Sequence, residues 1–398
     1  MISRNWQRAV ARRAVAPTDI YKWPGLSFDD AGSLETGKVS IGSTDADTRP
    51  LTCDHLVFTH SLSGSDKYYW CITMTVSPDG TLLAASFSAN TVLVWRLSDG
   101  LLVQRLQDQG NTHEVCSVVF SPNTRQLVSG STDKTATVWS IKSGRALLRL
   151  EGHQSWVQRV AYSSDGSHIT TGSFDRSVKI WDASSGACLH SLDLGEDVHN
   201  ITFPRGGTLL AVQLKDTGAI CDVHTGICVA TLWHEGGVNI QLSLSHQSDR
   251  VITGTRDGKA KIWKAATGEE LLELNEHKHE INHVAFSPDD AEVATASSDC
   301  TVVTCDSWTG QRRRIYRMST AVWRVAYSLK GDYIAMGDKD GCVRVCNARS
   351  GAFLAEFKGH TKAVIDLLFV PDGHSLLSCY EMDETIRLWS IRDAIRLH

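Results

Sequence analysis

The sequence predicts an all-β protein, a closed β-propeller built from four-stranded antiparallel blades. Three observations lead to this prediction. A short β-branched run ending in Trp or Cys recurs along the chain, neighbouring runs are 40 to 44 residues apart, and each interval contains four strand-like runs. Such a period is typical of propeller blades. One thin sheet cannot bury both of its faces, whereas sheets stacked around a ring cover one another.

The first part of the chain does not share the repeat. Four arginines precede the first acidic residue, Asp19, and apolar residues recur there at every fourth position, which indicates a short basic amphipathic helix. We predict that residues 1–50 form a basic leader and loop, partly disordered or helical, and that residues 51–398 form one propeller. An Arg-rich, acid-poor start also fits a mitochondrial import signal, which stays open as an alternative.

The recurring runs define eight units, and hence eight blades, with seven blades as the alternative. Five runs end in Trp and three have Cys in its place, in the order Trp95, Trp139, Trp181, Cys221, Trp263, Cys305, Cys346 and Trp389. Turn sequences such as Ser77-Pro78-Asp79-Gly80 separate the strands, because Gly tolerates positive φ and Asp and Ser bond to the local backbone. No stripe of helical period persists, which disfavours a helical bundle.

The last unit nearly exhausts the chain after Trp389. Its fourth strand must therefore come from residues 394–398 or from elsewhere. Residues 55–60 precede the first blade at a suitable distance for an outer strand. We predict that this segment completes the last blade and closes the ring, which hides an edge that would otherwise invite aggregation.

Gly152-His153, Trp181-Asp182, Gly359-His360 and the Ser-Pro-Asp-Gly turns resemble the WD40-repeat (G-beta-like) propeller family over about residues 54–398. The resemblance alone would favour seven blades, and it implies a His, Ser or Thr, Asp and Trp tetrad in each. The third unit matches in full and four others in part: His153, Ser173, Asp175 and Trp181; Asn111, Ser131, Asp133 and Trp139; Thr255, Asp257 and Trp263; His277, Ser297 and Asp299; His360, Asp383 and Trp389.

We interpret these tetrads as structural, because a buried carboxylate must be paired or hydrogen-bonded. The fourth unit, residues 194–231, keeps the strand pattern but loses the tetrad. The first has Ser88 near the Asp position and one extra residue, and the seventh has Met318 and Asp338 in place of His and Ser. These departures predict that blades 1, 4 and 7 are the more mobile ones.

Composition excludes several classes of function. A net charge of −5 argues against a general nucleic-acid binder, and no apolar run approaches the length of about 18 residues that would span a membrane. Eleven scattered cysteines without a CxxC pair indicate reduced thiols in an intracellular protein, cytoplasmic or nuclear. The common nucleophile, nucleotide-binding and zinc-protease motifs do not occur, so we predict no enzyme activity and no cofactor.

Two side-chain clusters have a chemical and a structural interpretation. His277, His279 and His283 could ligate Zn²⁺ or Cu²⁺, but His277 fills a tetrad position, so we predict no metal site. The run from Arg312 to Arg314 could bind an acidic partner. A solvated outer strand that discourages edge pairing is the preferred interpretation.

The resemblance further implies that one ring face, around the channel mouth, binds peptides or proteins. Its contributors are the residue just before each inner strand and the residue just before each tetrad Asp. The main candidates at these positions are Trp70, Glu114, Trp156, Phe174, Asp197, Arg256, Glu280 and Met382. Aromatic residues, Arg and Met are enriched at interfaces.

We therefore predict a non-enzymatic scaffold or recognition module for a protein or peptide, with its oligomeric state open. The alternatives are a substrate receptor of a cullin-type ubiquitin ligase, a signalling-sensor propeller and, third, a propeller enzyme. Family members of the ligase type carry Trp-Asp-x-Arg after the third strand. Here Cys346-Asn347-Ala348-Arg349 and Trp389-Ser390-Ile391-Arg392 only approximate that motif.

Overall fold

The structure is a computed structural model, and almost all of its regular structure is β-strand. It describes residues 56–59, 71–87, 91–107, 113–203, 207–234, 241–358, 362–380 and 385–396. The predicted leader, residues 1–50, lies outside this set. Within it, strands β1 to β32 form eight four-stranded antiparallel sheets, and a short helix, α1 (Ile391–Arg396), follows the last strand. No helix among the described residues is long and apolar enough to cross a membrane.

The first four blades use consecutive strands, each blade running from its inner to its outer strand. Blade 1 contains β2 (Cys71–Val76), β3 (Leu82–Phe87), β4 (Thr91–Arg96) and β5 (Leu102–Leu106). Blade 2 contains β6 (Val115–Phe120), β7 (Gln126–Ser131), β8 (Ala136–Ser140) and β9 (Ala146–Leu150). Blade 3 contains β10 (Val157–Tyr162), β11 (His168–Ser173), β12 (Ser177–Asp182) and β13 (Cys188–Asp193). Blade 4 contains β14 (Val198–Thr202), β15 (Leu209–Leu214), β16 (Gly218–Asp222) and β17 (Ile227–Leu232).

The next three blades repeat this order, and the eighth borrows its outer strand. Blade 5 contains β18 (Gln241–Leu244), β19 (Arg250–Gly254), β20 (Ala260–Lys264) and β21 (Glu270–Leu274). Blade 6 contains β22 (Ile281–Phe286), β23 (Glu292–Ser297), β24 (Thr301–Asp306) and β25 (Arg312–Arg317). Blade 7 contains β26 (Val322–Tyr327), β27 (Tyr333–Asp338), β28 (Val343–Asn347) and β29 (Phe353–Phe357). Blade 8 contains β30 (Val364–Phe369), β31 (Ser375–Tyr380), β32 (Thr385–Ser390) and β1 (Leu56–Thr59).

The blades form a ring, because each packs on the next and β30 of blade 8 contacts β2 of blade 1. The prediction of eight blades is confirmed and the alternative of seven is wrong. In blade 8, β1 pairs with β32 in antiparallel register, from Leu56 opposite Leu388 to Thr59 opposite Thr385. The other source considered for this strand, residues 394–398, does not supply it, because residues 391–396 are helical.

The hydrophobic core lies between the blades. Between blades 3 and 4, for example, Val178 and Ile180 of β12 pack in one cluster with Val198 and Leu210 of the next blade, all fully buried. Burying such a side chain stabilises the fold by about 1.5–3 kcal/mol. Gly172 permits this approach, since a Cβ there would lie 2.5 Å from Val198 Cγ1. Blades therefore stabilise one another, as the repeat argument requires.

Candidate functional site

A buried hydrogen-bond network joins the strands and loops of blade 3. His153 Nδ1 donates to Asp175 Oδ2 at 2.8 Å, Thr171 Oγ1 lies 2.6 Å from His153 Nε2, and the Trp181 indole donates to the same hydroxyl at 2.9 Å. Because a carboxylate only accepts, the proton lies on Nδ1, and Thr171 donates to Nε2 while it accepts from Trp181. The network thus satisfies every ring nitrogen with a neutral His.

The structure corrects one member of each predicted tetrad. Ser173 is not the tetrad hydroxyl. It donates to Ser155 O and accepts from the Asp175 backbone N–H. Trp181 lies opposite Ile169 in the β11–β12 ladder, so its indole reaches the same-face neighbour Thr171, whereas Ser173 is two residues, about 7 Å, farther along the strand.

The same shift of two residues applies in the other blades. Ser129 replaces Ser131 as the acceptor of Trp139, Thr295 replaces Ser297 beside His277, and Thr253 replaces Thr255 beside Trp263. Blade 5 also has a His that sequence reasoning missed, because His234 Nε2 lies 2.6 Å from Thr253 Oγ1. In blade 8 Trp389 donates to Ser378 at 2.8 Å. The predicted members Asn111, His360 and Asp383 lie outside the described residues.

Blades 4 and 7 replace the His, the hydroxyl and the Trp of the network with less polar side chains and keep an Asp, Asp216 or Asp340, at the position of Asp175. In blade 4 register places Val212 and Cys221 where blade 3 has Thr171 and Trp181, and Leu194, four residues before the inner strand, corresponds to His153. The corresponding residues of blade 7 are Met318, Met336 and Cys346, which are buried in one hydrophobic cluster.

Glu196, on the same loop of blade 4 as Leu194, accepts from the Asp216 backbone N–H at 2.7 Å and from the Thr217 hydroxyl at 2.9 Å. Replacing the partners of a buried polar group together by apolar groups limits the energetic cost, but the replacement in blade 4 is incomplete, because Asp216 Oδ1 is buried without a hydrogen-bond partner among the described residues.

The tetrad carboxylates remain ionised although they are partly buried. Burial opposes ionisation of Asp175, but hydrogen bonds from Ser177, the Gln154 backbone and His153 together lower its pKa to about 2. The pKa of Asp299 is also lowered, because the hydrogen bonds from Thr301 and His277 outweigh burial. Burial in turn lowers the pKa of His153. Each carboxylate is therefore ionised and each is held by hydrogen bonds within its blade.

Side chains of the histidine cluster around His277 and of the arginine run from Arg312 to Arg314 form hydrogen bonds and ion pairs within the protein. His277 bonds Asp299 at 2.9 Å, and no group of three or more His, Cys, Asp or Glu side chains in the described part of the chain could hold a metal ion. The three arginines of β25 form ion pairs: Arg312 with Glu276 at 3.0 Å, and both Arg313 and Arg314 with Glu292 at 3.1 Å. Their charge is largely neutralised by these acids.

The two sets of positions predicted for the channel-mouth face lie side by side. In blade 3 the Phe174 backbone N–H donates to Trp156 O at 3.1 Å. The equivalent bonds join Thr132 to Glu114, Ser298 to Glu280 and Lys339 to Ala321, each at 2.9 Å. In these four blades both loops therefore lie side by side at the end of the blade where the inner strand begins.

An aromatic row crosses this face from blade 3 to blade 4. The Trp156 and Phe174 rings lie 6.0 Å apart between centroids, and Phe174 meets His199 edge-on at 5.3 Å. All three are half-buried. Burial lowers the pKa of His199, so the row is predominantly neutral and apolar near neutral pH.

Charged residues occupy the predicted positions of other blades and of blade 4. Glu114 and Asp197 are half-buried, and burial raises the pKa of Glu114. Arg256 is exposed and Glu280 is half-buried. Their loops adjoin, because the Ile281 backbone N–H donates to Thr255 O at 3.0 Å. Trp70 and Met382, also predicted for this face, lie outside the described residues.

Sequence reasoning missed the charged residues of the inner strands. Arg159, Arg324 and Asp366 are each the third residue of an inner strand. Arg159 Nε donates to Asn200 Oδ1 of the next blade at 3.2 Å, and its Nη1 to Cys116 O of the preceding one at 3.4 Å. Burial raises the pKa of Asp366, and the positive charges of Arg324 and Arg159 partly offset this effect. The sequence contains the pattern that would have identified them, because a charged residue that recurs at the same position of otherwise apolar strands is unusual.

A comparison with known protein families identifies the same repeat. The profile of the family described as "WD domain, G-beta repeat" matches residues 56–96, 101–140, 144–182, 226–264, 268–305, 310–347 and 351–390. The unmatched interval, 183–225, holds most of blade 4, where the tetrad residues are replaced. Seven matches thus correspond to eight blades because one blade has diverged.

Several curated proteins are similar to the chain. The nuclear distribution protein nudF of Aspergillus niger is 27% identical over 289 residues, which cover 71% of this chain and 60% of nudF. Eukaryotic translation initiation factor 3 subunit I of Emericella nidulans is 27% identical over 298 residues, 70% of this chain and 75% of that subunit. The chain therefore spans less than two thirds of nudF. Among solved structures, the computationally designed Ika8 protein is 26% identical, with a TM-score of 0.71, covering 81% of this chain and 97% of Ika8.

Proposed function

Because the chain belongs to the WD domain, G-beta repeat family, we propose that it is a non-enzymatic scaffold that binds a peptide or protein on its channel-mouth face. The observation that carries this proposal is the aromatic row of Trp156, Phe174 and His199, which is half-buried and spans two blades. Rigid aromatic side chains supply large contact area at a small entropic cost, and they dominate binding energy at interfaces. The proposal includes an intracellular location, which the free thiols support.

The charges around the row define the partner that fits it. Glu114, Asp197 and Glu280 each directly precede an inner strand, β6, β14 and β22, and so lie toward the end of the blades where these strands begin. A segment with one apolar anchor and a nearby Arg or Lys would fill the row and pair with these acids. Pairing of this kind contributes specificity and association rate more than affinity.

A peptide-library selection on the immobilised full-length protein tests the proposal. We expect enriched peptides to combine a basic residue with an apolar or aromatic one. Trp156→Ala and Phe174→Ala should each weaken binding of such a peptide at least about tenfold, the effect of a loss of about 1.4 kcal/mol.

A matched control is available at the opposite end of the blades. Trp308 lies in the turn between β24 and β25 and is 64% exposed, so Trp308→Ala removes an exposed indole from the other face. It should leave peptide binding unchanged. Equal binding by wild type, Trp156→Ala and Phe174→Ala, with unfolding midpoints preserved, would refute the proposed face.

A further inference from the structure

Two cysteines face each other across the outer ladder of blade 4. Cys221 on β16 is fully buried and lies directly opposite Cys228 on β17, which is exposed. Cys221 occupies the position that holds Trp181 in blade 3. The divergence that removed the tetrad thus placed a small thiol where an indole would otherwise cover the outer strand.

The register brings the two thiols together. Cys221 and Cys228 are directly opposed at a bulge, where the register shifts between Ile220 and Cys221, and each thiol shifts the pKa of the other. Opposed residues of an antiparallel pair have Cα atoms about 4.5–5.5 Å apart, within the range of about 4.4–6.8 Å that a disulfide spans. No large backbone movement is needed to bond them.

We propose that Cys221 and Cys228 form a reversible disulfide, making blade 4 a redox modification site that responds to peroxides. The bond would link the third and outer strands of this blade. It is independent of the proposed partner-binding face, which lies at the end of the blades.

The chemistry balances with a peroxide as the oxidant. The Cys228 thiolate attacks one peroxide oxygen, the O–O bond breaks, and hydroxide leaves, so that Cys228 becomes a sulfenic acid. The Cys221 sulfur then attacks the Cys228 sulfur, water leaves, and the S–S bond forms. Two thiols and one hydrogen peroxide give one disulfide and two waters. A dithiol reductant reverses the step by thiol–disulfide exchange.

The environment of the pair assigns the roles of the two thiols. The hydrogen bond from Cys221 and a second from Thr231 lower the pKa of Cys228 to about 6, against the effect of burial. The hydrogen bond to Cys228 and burial raise the pKa of Cys221. The exposed thiol is therefore the nucleophile, and the buried one resolves the sulfenic acid.

Blade 3 contains a natural control. Cys188 occupies the position of Cys228 one blade earlier and is also exposed. The thiols of Cys188 and Cys228 each contact the carbonyl oxygen two residues later, at 3.4 and 3.5 Å. Cys188, however, lies opposite Trp181. The two sites differ mainly in whether a second thiol is present.

The experiment uses native, full-length protein exposed to hydrogen peroxide, then alkylated, digested with trypsin and analysed by mass spectrometry. Tryptic cleavage places Cys221 and Cys228 together in the peptide 216–250, and Cys188 alone in the peptide 180–205. We expect peptide 216–250 to lose the mass of two hydrogen atoms and resist alkylation until a dithiol is added. Peptide 180–205 should keep an alkylatable thiol. Before oxidation, Cys228 should react with iodoacetamide at pH 7 about tenfold faster than Cys188.

Two results would overturn the proposal: peptide 216–250 retains two alkylatable thiols at peroxide doses that oxidise Cys188, or the bond appears only in urea. In the variant Cys221→Ser, the peptide should gain oxygen at Cys228 without bridging. If that variant does not fold, the wild-type comparison of Cys228 with Cys188 decides the question alone.

Discussion

Thr171 Oγ1 accepts the indole hydrogen of Trp181 at 2.9 Å across the ladder between β11 and β12. The same oxygen lies 2.6 Å from His153 Nε2, on the loop that enters the blade. One hydroxyl therefore connects a middle strand, its neighbour and the loop before the inner strand. All three side chains are buried, so water cannot replace a lost partner.

Thr171→Ala should destabilise the protein more than Ser173→Ala. The first change leaves two buried ring nitrogens without a partner, at about 1–3 kcal/mol for each group. The second removes one bond to the Ser155 carbonyl and one from the Asp175 backbone N–H, each worth about 0.5–1.5 kcal/mol, because Ser155 and Asp175 are both half-buried and water can replace the lost partner. Urea unfolding of both variants measures the difference, and Thr171→Ser, which keeps the oxygen, is the control. Equal losses for Thr171→Ala and Ser173→Ala would contradict the corrected tetrad.

The error at Ser173 shows where sequence reasoning reaches its limit. Blade number and the positions of Trp181 and Asp175 follow from a period, which the sequence displays directly. Thr171 and Ser173 lie on the same face of β11 and both carry hydroxyls, so only the register against Trp181 distinguishes them. His234 was missed because it precedes Trp263 by 29 residues, whereas His153 precedes Trp181 and His277 precedes Cys305 by 28. The aromatic row was predicted in two of its three members, since Trp156 and Phe174 occupy repeat-defined positions.

Acidification should destabilise the protein from about pH 6.5 downward. Burial and the nearby Lys261 lower the pKa of His234 to about 4, and burial and Arg324 lower that of His283 to about 3. The unfolded chain binds these protons more readily than the folded one. The stability is therefore complete above the unfolded pKa and is lost as the pH falls toward the folded values.

Urea titrations between pH 7.5 and 4 measure this slope, and each buried His contributes up to about 1.4 kcal/mol per pH unit. His234→Gln should make the slope shallower. His224→Gln, at an exposed position, should leave it unchanged. An unfolding free energy independent of pH over this interval would refute the argument.

Deleting residues 50–62 should lower the unfolding temperature sharply and promote aggregation. The deletion removes β1 and leaves the outer edge of β32 without its ladder partner, and an unpaired edge recruits other strands. A deletion of residues 1–40 retains β1 and is the matched control, with an expected midpoint close to that of the full chain. Light scattering and a thermal melt compare the two, and unchanged stability after removal of 50–62 would contradict closure by this strand.

Blade 7 should open locally more often than blade 3. In blade 7, Met318, Met336 and Cys346 pack well, so replacing the network costs little global stability. Apolar contacts are not directional, however, and do not fix the loop before the inner strand as the bond from His153 to Asp175 does. A loop with fewer such bonds opens at a lower free-energy cost. Hydrogen-exchange mass spectrometry should therefore show faster exchange at residues 339–341 than at 174–176 of the same molecule, and uniform protection of the two loops would show that the tetrad does not control local opening.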